Sequence, residues 1–237
     1  MICYKRALAL LIPGFFLSSV AQAEIVGNIA VTNNYVWRGI TQTADDAAVQ
    51  GGLDYGHESG FYVGTWNSNV SFASSETDLY AGFASEVGEL GYDIGYIYYL
   101  YPGGGPISFG EIYGSLSYGP ASVFAAYTTN SEIDGDDPGA QAFIPGDFYI
   151  SGSLAFPIPE TTGLGLDGIE VFAGAYIFDE DDENNAEFNY THYGVRVTKG
   201  DFALGVEIND LDSDHDFSGG TDEAGDPRFI VSYGIEF

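Results

Sequence analysis

Residues 228–237, Arg-Phe-Ile-Val-Ser-Tyr-Gly-Ile-Glu-Phe, alternate between two kinds of side chain with one exception. One face of the extended chain carries five apolar groups, Phe229, Val231, Tyr233, Ile235 and Phe237. The other face is polar or small, with Ile230 as its one apolar member. Such alternation predicts a β-strand with two different environments. An apolar last strand that ends in an aromatic residue is typical of proteins that the outer-membrane barrel assembly machinery inserts into lipid.

The same alternation recurs along the chain and predicts twelve strands. Most of them span about 9–12 residues, the length at which a tilted strand crosses a bilayer, whereas strands of soluble proteins average about 5–6 residues. The predicted strands are 27–38, 46–56, 60–68, 76–85, 90–101, 107–118, 120–129, 146–156, 168–178, 188–198, 201–209 and 227–237.

The predicted connections alternate in length. The odd-numbered gaps are mostly long, whereas the even ones are mostly tight, with 157–167 as the exception. Outer-membrane barrels combine long outer loops with short periplasmic turns, and both of their termini lie on the periplasmic side. The fold expected is therefore all-β: one closed antiparallel transmembrane barrel, residues 24–237, embedded in outer-membrane lipid of a Gram-negative bacterium.

The N-terminus predicts export. Lys5 and Arg6 precede an apolar stretch, and Ala21-Gln22-Ala23 supplies a small-x-small cleavage pattern. These features define a secretory signal peptide, residues 1–23, which the Sec pathway would use and signal peptidase would remove.

Charge limits the partners. The chain has 35 acidic and six basic residues, and cleavage would remove Lys5 and Arg6. Nucleic acid needs a basic surface and is excluded as a partner. Cys3 lies in the signal peptide, so the mature chain would hold no thiol, and nothing in the sequence indicates a cofactor.

The segment from Asn33 to Val70 resembles the TorF family, proteobacterial outer-membrane proteins described as porins. The resemblance rests on Tyr35-Val36-Trp37-Arg38-Gly39, on the pair Gln50-Gly51, and on Gly60-Phe61-Tyr62-Val63-Gly64-Thr65-Trp66. Family members often have Ser-Asp where this chain has Asn33-Asn34. The resemblance implies a porin and brings no catalytic residue.

The alternation also predicts which side chains face the lumen. Arg38, Arg196 and Arg228 turn inward, since an arginine facing lipid near the midplane costs about 2–4 kcal/mol. Barrel closure would bring Arg38 and Arg228 together near the outer mouth, where each contacts solute or pairs with Asp45, Asp46 or Asp226. The other pore-lining candidates are Asp54, Asp78, Asp93, Glu111, His192 and Glu207, with Asp147 and Glu170 on the same face.

These residues predict passive diffusion of small solutes, with a preference for cations or neutral molecules. Inward glycines, such as Gly52, Gly95, Gly174, Gly194, Gly205 and Gly234, are expected to leave room for water. Neutralising Asp54, Asp78 and Glu111 should weaken the cation preference, whereas replacing Arg38 should strengthen it.

The alternative is a non-conducting surface barrel whose acidic loops bind divalent cations or a partner. Asp210, Asp212, Asp214 and Asp216 are weak metal candidates, because the run lacks the glycine and the glutamate of a calcium-binding EF-hand loop. An enzyme is not expected, since acyl transfer needs a histidine beside its nucleophile and His192 would face the lumen, not the lipid from which an acyl substrate would arrive.

Overall fold

The computed structural model describes residues 24–133, 142–179, 189–211 and 225–237, and in these ranges the chain forms a closed antiparallel barrel. The barrel strands are β1 (Glu24–Thr32), β4 (Ala48–Gly56), β5 (Phe61–Ser68), β6 (Glu76–Val87), β7 (Leu90–Leu100), β8 (Phe109–Tyr118), β9 (Ala121–Ser131), β10 (Phe148–Pro157), β11 (Gly168–Ile177), β12 (Tyr190–Lys199), β13 (Phe202–Asn209) and β14 (Arg228–Glu236). A short hairpin, β2 (Val36–Trp37) and β3 (Ile40–Thr41), is separate from the wall. The predicted twelve-stranded barrel is confirmed.

Each wall strand pairs with its neighbours in sequence, and β1 closes the barrel against β14. Asn28 lies opposite Glu236, so both ends of the described barrel chain lie at one rim. Gly27 and Phe237 exchange two backbone hydrogen bonds of 2.9 Å, which extend the closure to the last residue. A closed ladder leaves no unpaired strand edge, as hydrocarbon surroundings require.

The outer surface of the barrel is apolar, as the alternation predicts. In β14, Phe229 is 63% exposed and Val231 is 49% exposed, whereas Ile230 and Ser232, which alternate with them, are each 3% exposed. The same exposed apolar face continues on the other strands, with Leu53, Val63, Leu79, Ile94, Ile112, Val123, Val171 and Leu204. Large apolar side chains in contact with water would be unfavourable, so this surface suits a lipid environment.

The two rims differ in the length of their connections. The rim that holds both termini, called the turn end, carries the short connections 57–60, 88–89, 119–120 and 200–201, together with 158–167. That longer connection contains the 3₁₀ helix Glu160–Thr162. The opposite rim, called the loop end, carries the longer connections. In the described ranges no helix is long and apolar enough to span a bilayer.

The first strand ends earlier than predicted. β1 stops at Thr32, not at residue 38, because Asn33 takes over its pairing with β14. The Asn33 side chain accepts a hydrogen bond from the Val231 N–H (2.6 Å) and donates one to the Phe229 carbonyl (2.9 Å). The backbone can then leave the wall, and residues 33–47, here called the plug segment, fold into the barrel.

At three of the predicted inward glycines, Gly95, Gly174 and Gly194, aromatic side chains occupy the space that was expected to hold water, whereas a Cβ on Gly205 would meet no atom closer than 3.6 Å. A Cβ atom on Gly95 would overlap the ring and hydroxyl of Tyr113, and one on Gly174 would lie 2.6 Å from the Tyr149 hydroxyl oxygen. A Cβ on Gly194 would lie 2.5 Å from the Phe172 ring. Rings therefore fill the space that glycine provides, and the lumen contains a packed aromatic core.

Candidate functional site in the lumen

The plug segment carries a tight hairpin whose tip is Arg38-Gly39. Trp37 pairs with Ile40, and the two residues between them have positive φ angles, 49° for Arg38 and 86° for Gly39. Two consecutive positive φ angles define the type I′ turn, which suits the twist of a two-stranded hairpin. The Arg38 side chain at this turn is buried and reaches β8 on the inner face of the barrel wall.

The base of the plug segment is held by short polar contacts. The Asn34 amide donates to Asp45 (2.6 Å), and its oxygen accepts from the Thr41 hydroxyl (2.6 Å). Tyr35 packs its ring against Trp66 of β5 and donates its hydroxyl to Glu76 of β6 (3.2 Å). These contacts fix the direction in which the segment enters the barrel.

Arg38 forms a buried bidentate ion pair with Glu111 on β8. The two Nη atoms donate to the two carboxylate oxygens at 2.8 and 2.7 Å, and the side chains are 5% and 1% exposed. The sequence-based alternative that Arg38 pairs with a carboxylate holds, but its partner is Glu111 and not Asp45, Asp46 or Asp226. Since Arg38 sits at the hairpin tip inside the lumen, it lies near Glu111, 73 residues away in sequence.

Aromatic rings enclose the Arg38 guanidinium. Its central carbon lies 4.2 Å from the ring centroids of Trp37 and Tyr149, and 5.3 Å from that of Tyr176. The Tyr99 and Tyr176 hydroxyls donate to Glu111 at 3.1 and 3.3 Å. Both carboxylate oxygens therefore accept hydrogen bonds from the guanidinium and from the wall, which a buried charge pair requires.

Three wall strands hold the backbone of the hairpin tip. The Tyr190 hydroxyl donates to the Arg38 carbonyl (2.9 Å). The Asn209 amide and an Arg228 Nη atom donate to the Gly39 carbonyl at 2.7 and 3.0 Å. Arg228 thus lies beside the Arg38-Gly39 tip, as predicted. Including the contacts of Tyr35 and Trp37, the plug segment reaches nine strands, β5–β8 and β10–β14, and so crosses the lumen.

His192 links the ring cluster to a second carboxylate. Its Nδ1 lies 2.7 Å from Glu207, and its Nε2 lies 2.8 Å from the Tyr149 hydroxyl. A neutral imidazole protonated on Nδ1 fits both contacts, donating to Glu207 and accepting from Tyr149. His192 faces the lumen, as expected, and it positions a ring that covers Arg38.

Glu76 and Asp78 of β6 are a pair of buried carboxyl groups. Both residues are 1% exposed and lie two positions apart on the inward face of β6. Among the described residues, no hydrogen-bond donor reaches Glu76 Oε2 or either carboxylate oxygen of Asp78. A shared proton or a cation would satisfy these atoms, because two bare carboxylates cannot stay ionised together in a buried site.

The half of the lumen nearer the turn end has separate polar contacts. Tyr80 donates to Asp54 (2.5 Å), and Tyr62 donates to Asp93 (2.7 Å) while it also contacts the Tyr113 hydroxyl. Arg196 pairs with Glu170 at 3.0 Å. These predicted residues line the lumen and do not touch the plug segment.

Two loop-end carboxylates are used by the protein itself. Asp147 is buried and accepts from the backbone N–H groups of Asp179 (2.9 Å) and Ile144 (3.0 Å). Burial raises the pKa of Asp147 to about 6, although those hydrogen bonds act in the opposite direction. Asp210 accepts from the N–H and the hydroxyl of Thr191. Asp212, Asp214 and Asp216 lie outside the described residues, and the described ranges contain no cluster of three metal-ligating side chains.

The sequence therefore located most of the charged residues of the site and missed Glu76 together with the aromatic and amide members. Tyr149, Tyr176, Tyr190, Glu76 and Asn209 have the inward parity of their strands, so the alternation that placed Glu111 inward could have placed them as well. No local pattern shows which of them meet across the barrel.

Gly39→Ala is expected to release the plug segment. The new methyl would lie 2.6 Å from the Cβ of His192, and alanine at φ 86° costs about 1–2 kcal/mol. Trypsin cleavage after Arg38, detected as a new N-terminus at position 39, measures the release. Gly105→Ala is the matched control, since Gly105 also has φ 86° but a methyl added there would meet no atom within 4 Å. Equal protection of Arg38 in both variants would contradict the expectation.

Comparison with known proteins shows the following similarities. The sequence model of a family described as "Bacterial protein of unknown function (Gcw_chp)" matches residues 18–237. The KdgM porin has a similar structure, with a TM-score of 0.51 and 7% identity over 90% of this chain and 98% of that one. The NanC porin has a TM-score of 0.50 and 10% identity over 88% of this chain and 98% of that one. No curated protein sequence matches. At these identities the likeness concerns the fold.

Proposed function

The chain belongs to the Gcw_chp family, and we propose that this member is a porin-like channel of the Gram-negative outer membrane that the plug segment holds closed. Residues 1–23 would be removed as a signal peptide after Sec export, and residues 24–237 would be inserted by the barrel assembly machinery. The apolar outer face and the unequal rims support this placement, with the turn end in the periplasm. The resemblance to the TorF porins supports the same proposal.

The observation that carries the proposal is the way in which the lumen is closed. The plug segment is a part of the chain that enters from the loop end and is held by an ion pair and hydrogen bonds. Such contacts can break and form again while the twelve-stranded wall stays intact. Small solutes would cross the membrane by passive diffusion when the segment withdraws. The porin fold of KdgM and NanC is consistent with this function.

The alternative function is a surface barrel that never conducts. The buried ring cluster around Trp37 favours it, because a packed aromatic core resists the entry of water. Its acidic loops would then bind divalent cations or a partner. Ion conductance across planar bilayers separates the two functions. A folded barrel that shows no conductance even after release of the plug segment is non-conducting. Neither proposal includes catalysis.

We expect the open channel to prefer cations. In the Gly39→Ala background, the reversal potential in a salt gradient should indicate cation selectivity, which weakens as salt screens the lumenal charges. Asp54→Asn together with Asp93→Asn should shift the reversal potential towards zero, since both carboxylates line the half of the lumen away from the plug segment. Asp167→Asn is the control, because Asp167 is exposed in a turn-end connection. Anion selectivity of the open channel would contradict this prediction.

A further inference from the structure

We infer that the lumen wall behind Arg38 is a binding site for small organic cations that carry a guanidinium group, and that Arg38 occupies this site when the channel is closed. The wall part of the site consists of Glu111, Tyr99, Tyr149 and Tyr176. The inference deepens the proposed function, because such a cation would be a solute or effector of the channel. Binding itself does not depend on conduction.

The carboxylate of this site is positioned by the wall. Glu111 belongs to β8, and the Tyr99 and Tyr176 hydroxyls donate to its two oxygens. Neither tyrosine belongs to the plug segment. The acceptor pair that Arg38 uses at 2.8 and 2.7 Å therefore keeps its wall contacts after Arg38 leaves. A planar guanidinium matches two carboxylate oxygens with two parallel N–H donors, which an ammonium cannot do.

The rings of the wall add a second recognition element. Tyr149 presents its face to the guanidinium carbon at 4.2 Å, and Tyr176 lies at 5.3 Å. Tyr149 is held in turn by His192, which contacts Glu207. Contacts between a cation and an aromatic ring are strongest where water is excluded, and both rings are at most 2% exposed. The wall is thus preorganised for a flat cation.

The surrounding charges favour a cation over an anion. Asp78, with no hydrogen-bond donor on either carboxylate oxygen among the described residues, pairs in the β6–β7 ladder with Tyr99, which donates to Glu111. Glu76 lies two residues from Asp78 on the same face of β6. Arg228 is the nearby basic residue on the wall, and it donates to the Gly39 carbonyl. Removal of Arg38 leaves three buried carboxyl groups in this region, so a cation from solution would replace the lost charge.

The test is a titration of the folded Arg38→Ala variant with ethylguanidinium, which restores the atoms that the substitution removes. Tryptophan fluorescence reports binding, since the Trp37 ring lies 4.2 Å from the position of the guanidinium carbon. We expect saturable binding that is at least about tenfold tighter than that of ethylammonium, because one charge-assisted hydrogen bond is worth more than 1.4 kcal/mol. Wild-type protein should bind at least about tenfold more weakly, since Arg38 already fills the site.

Glu111→Gln in the Arg38→Ala background should abolish the preference for ethylguanidinium, whereas Glu170→Gln, at the other lumenal Arg–Glu pair, should preserve it. If Arg38→Ala does not fold, as judged by heat-dependent gel mobility, Arg38→Gly takes its place, because glycine suits the φ of 49° at this position and leaves the space of the probe empty. Non-saturable binding, or equal binding to the Glu111→Gln variant, would overturn the inference. Saturable binding without any conductance would leave the site standing and reject the channel.

Discussion

Replacing residues 33–47 with an Asn-Gly turn is expected to leave the barrel wall intact and to convert a closed channel into a permanently open one. Thr32 lies directly opposite Ala48, so a two-residue turn can join β1 to β4 without changing their register. The replacement removes the buried side chains of Tyr35, Trp37, Arg38 and Ile40 from the lumen. Planar-bilayer recordings should change from a closed baseline to a stable conducting level, because the remaining polar side chains admit water.

The matched control has an Asn-Gly turn in place of a connection at the turn end. Pro157 lies opposite Gly168, so an Asn-Gly turn can replace residues 158–167, most of which are exposed. This variant should conduct as wild type does. Heat-dependent gel mobility must show that both variants fold. A folded variant without the plug segment that shows no ion conductance would establish the non-conducting alternative.

Glu111→Gln is the point substitution with the largest expected effect. It leaves the buried Arg38 guanidinium without its counter-charge, and loss of one partner of a buried ion pair typically costs about 3–5 kcal/mol. The penalty disappears when the plug segment withdraws and Arg38 reaches water. The ratio of open to closed barrel should therefore rise by about 10²-fold to about 5×10³-fold. Trypsin cleavage after Arg38 and open probability in bilayers measure this ratio independently.

Two further variants isolate the ion pair as the cause. Glu170→Gln removes the partner of Arg196, a similar pair that does not touch the plug segment, and should leave cleavage after Arg38 unchanged. The double variant Arg38→Leu with Glu111→Leu should have the same low open probability as wild type. An apolar pair of similar volume can replace a buried ion pair without loss of stability. A high open probability of the double variant would show that the ion pair does not hold the plug segment in the closed position.

The alternation of β14 illustrates how much local sequence determines. A side-chain period of two fixes which residues of a strand share a face, and the chemistry of each face then selects lipid or lumen. Phe229 and Val231 therefore face outward, and Arg228 and Ser232 inward, wherever the strand lies in the barrel. The same reasoning placed Asp54, Asp93, Glu111, His192 and Glu207 in the lumen, and the lengths of the connections distinguished the two rims.

The end of β1 shows where local reasoning fails. Residues 33–38 continue a strand-like texture, but the Asn33 side chain replaces the backbone ladder to β14 and lets the chain turn inward. Arg38-Gly39 between Trp37 and Ile40 was a usable hairpin signal, since glycine at the second turn position suits a type I′ turn. That signal indicates a hairpin and says nothing about its position inside the barrel.

The sequence by itself determined the strands, the lipid-facing surface, the inward set of charges and the two unlike rims, because each depends on neighbours within one strand or one turn. Only the tertiary structure decided the partners of those charges. Arg38 meets Glu111, and Gly39 meets Asn209 and Arg228, across 73, 170 and 189 residues. Closure of the wall sets those distances, and the space that glycines leave for tyrosine rings decides which side chains fit between them.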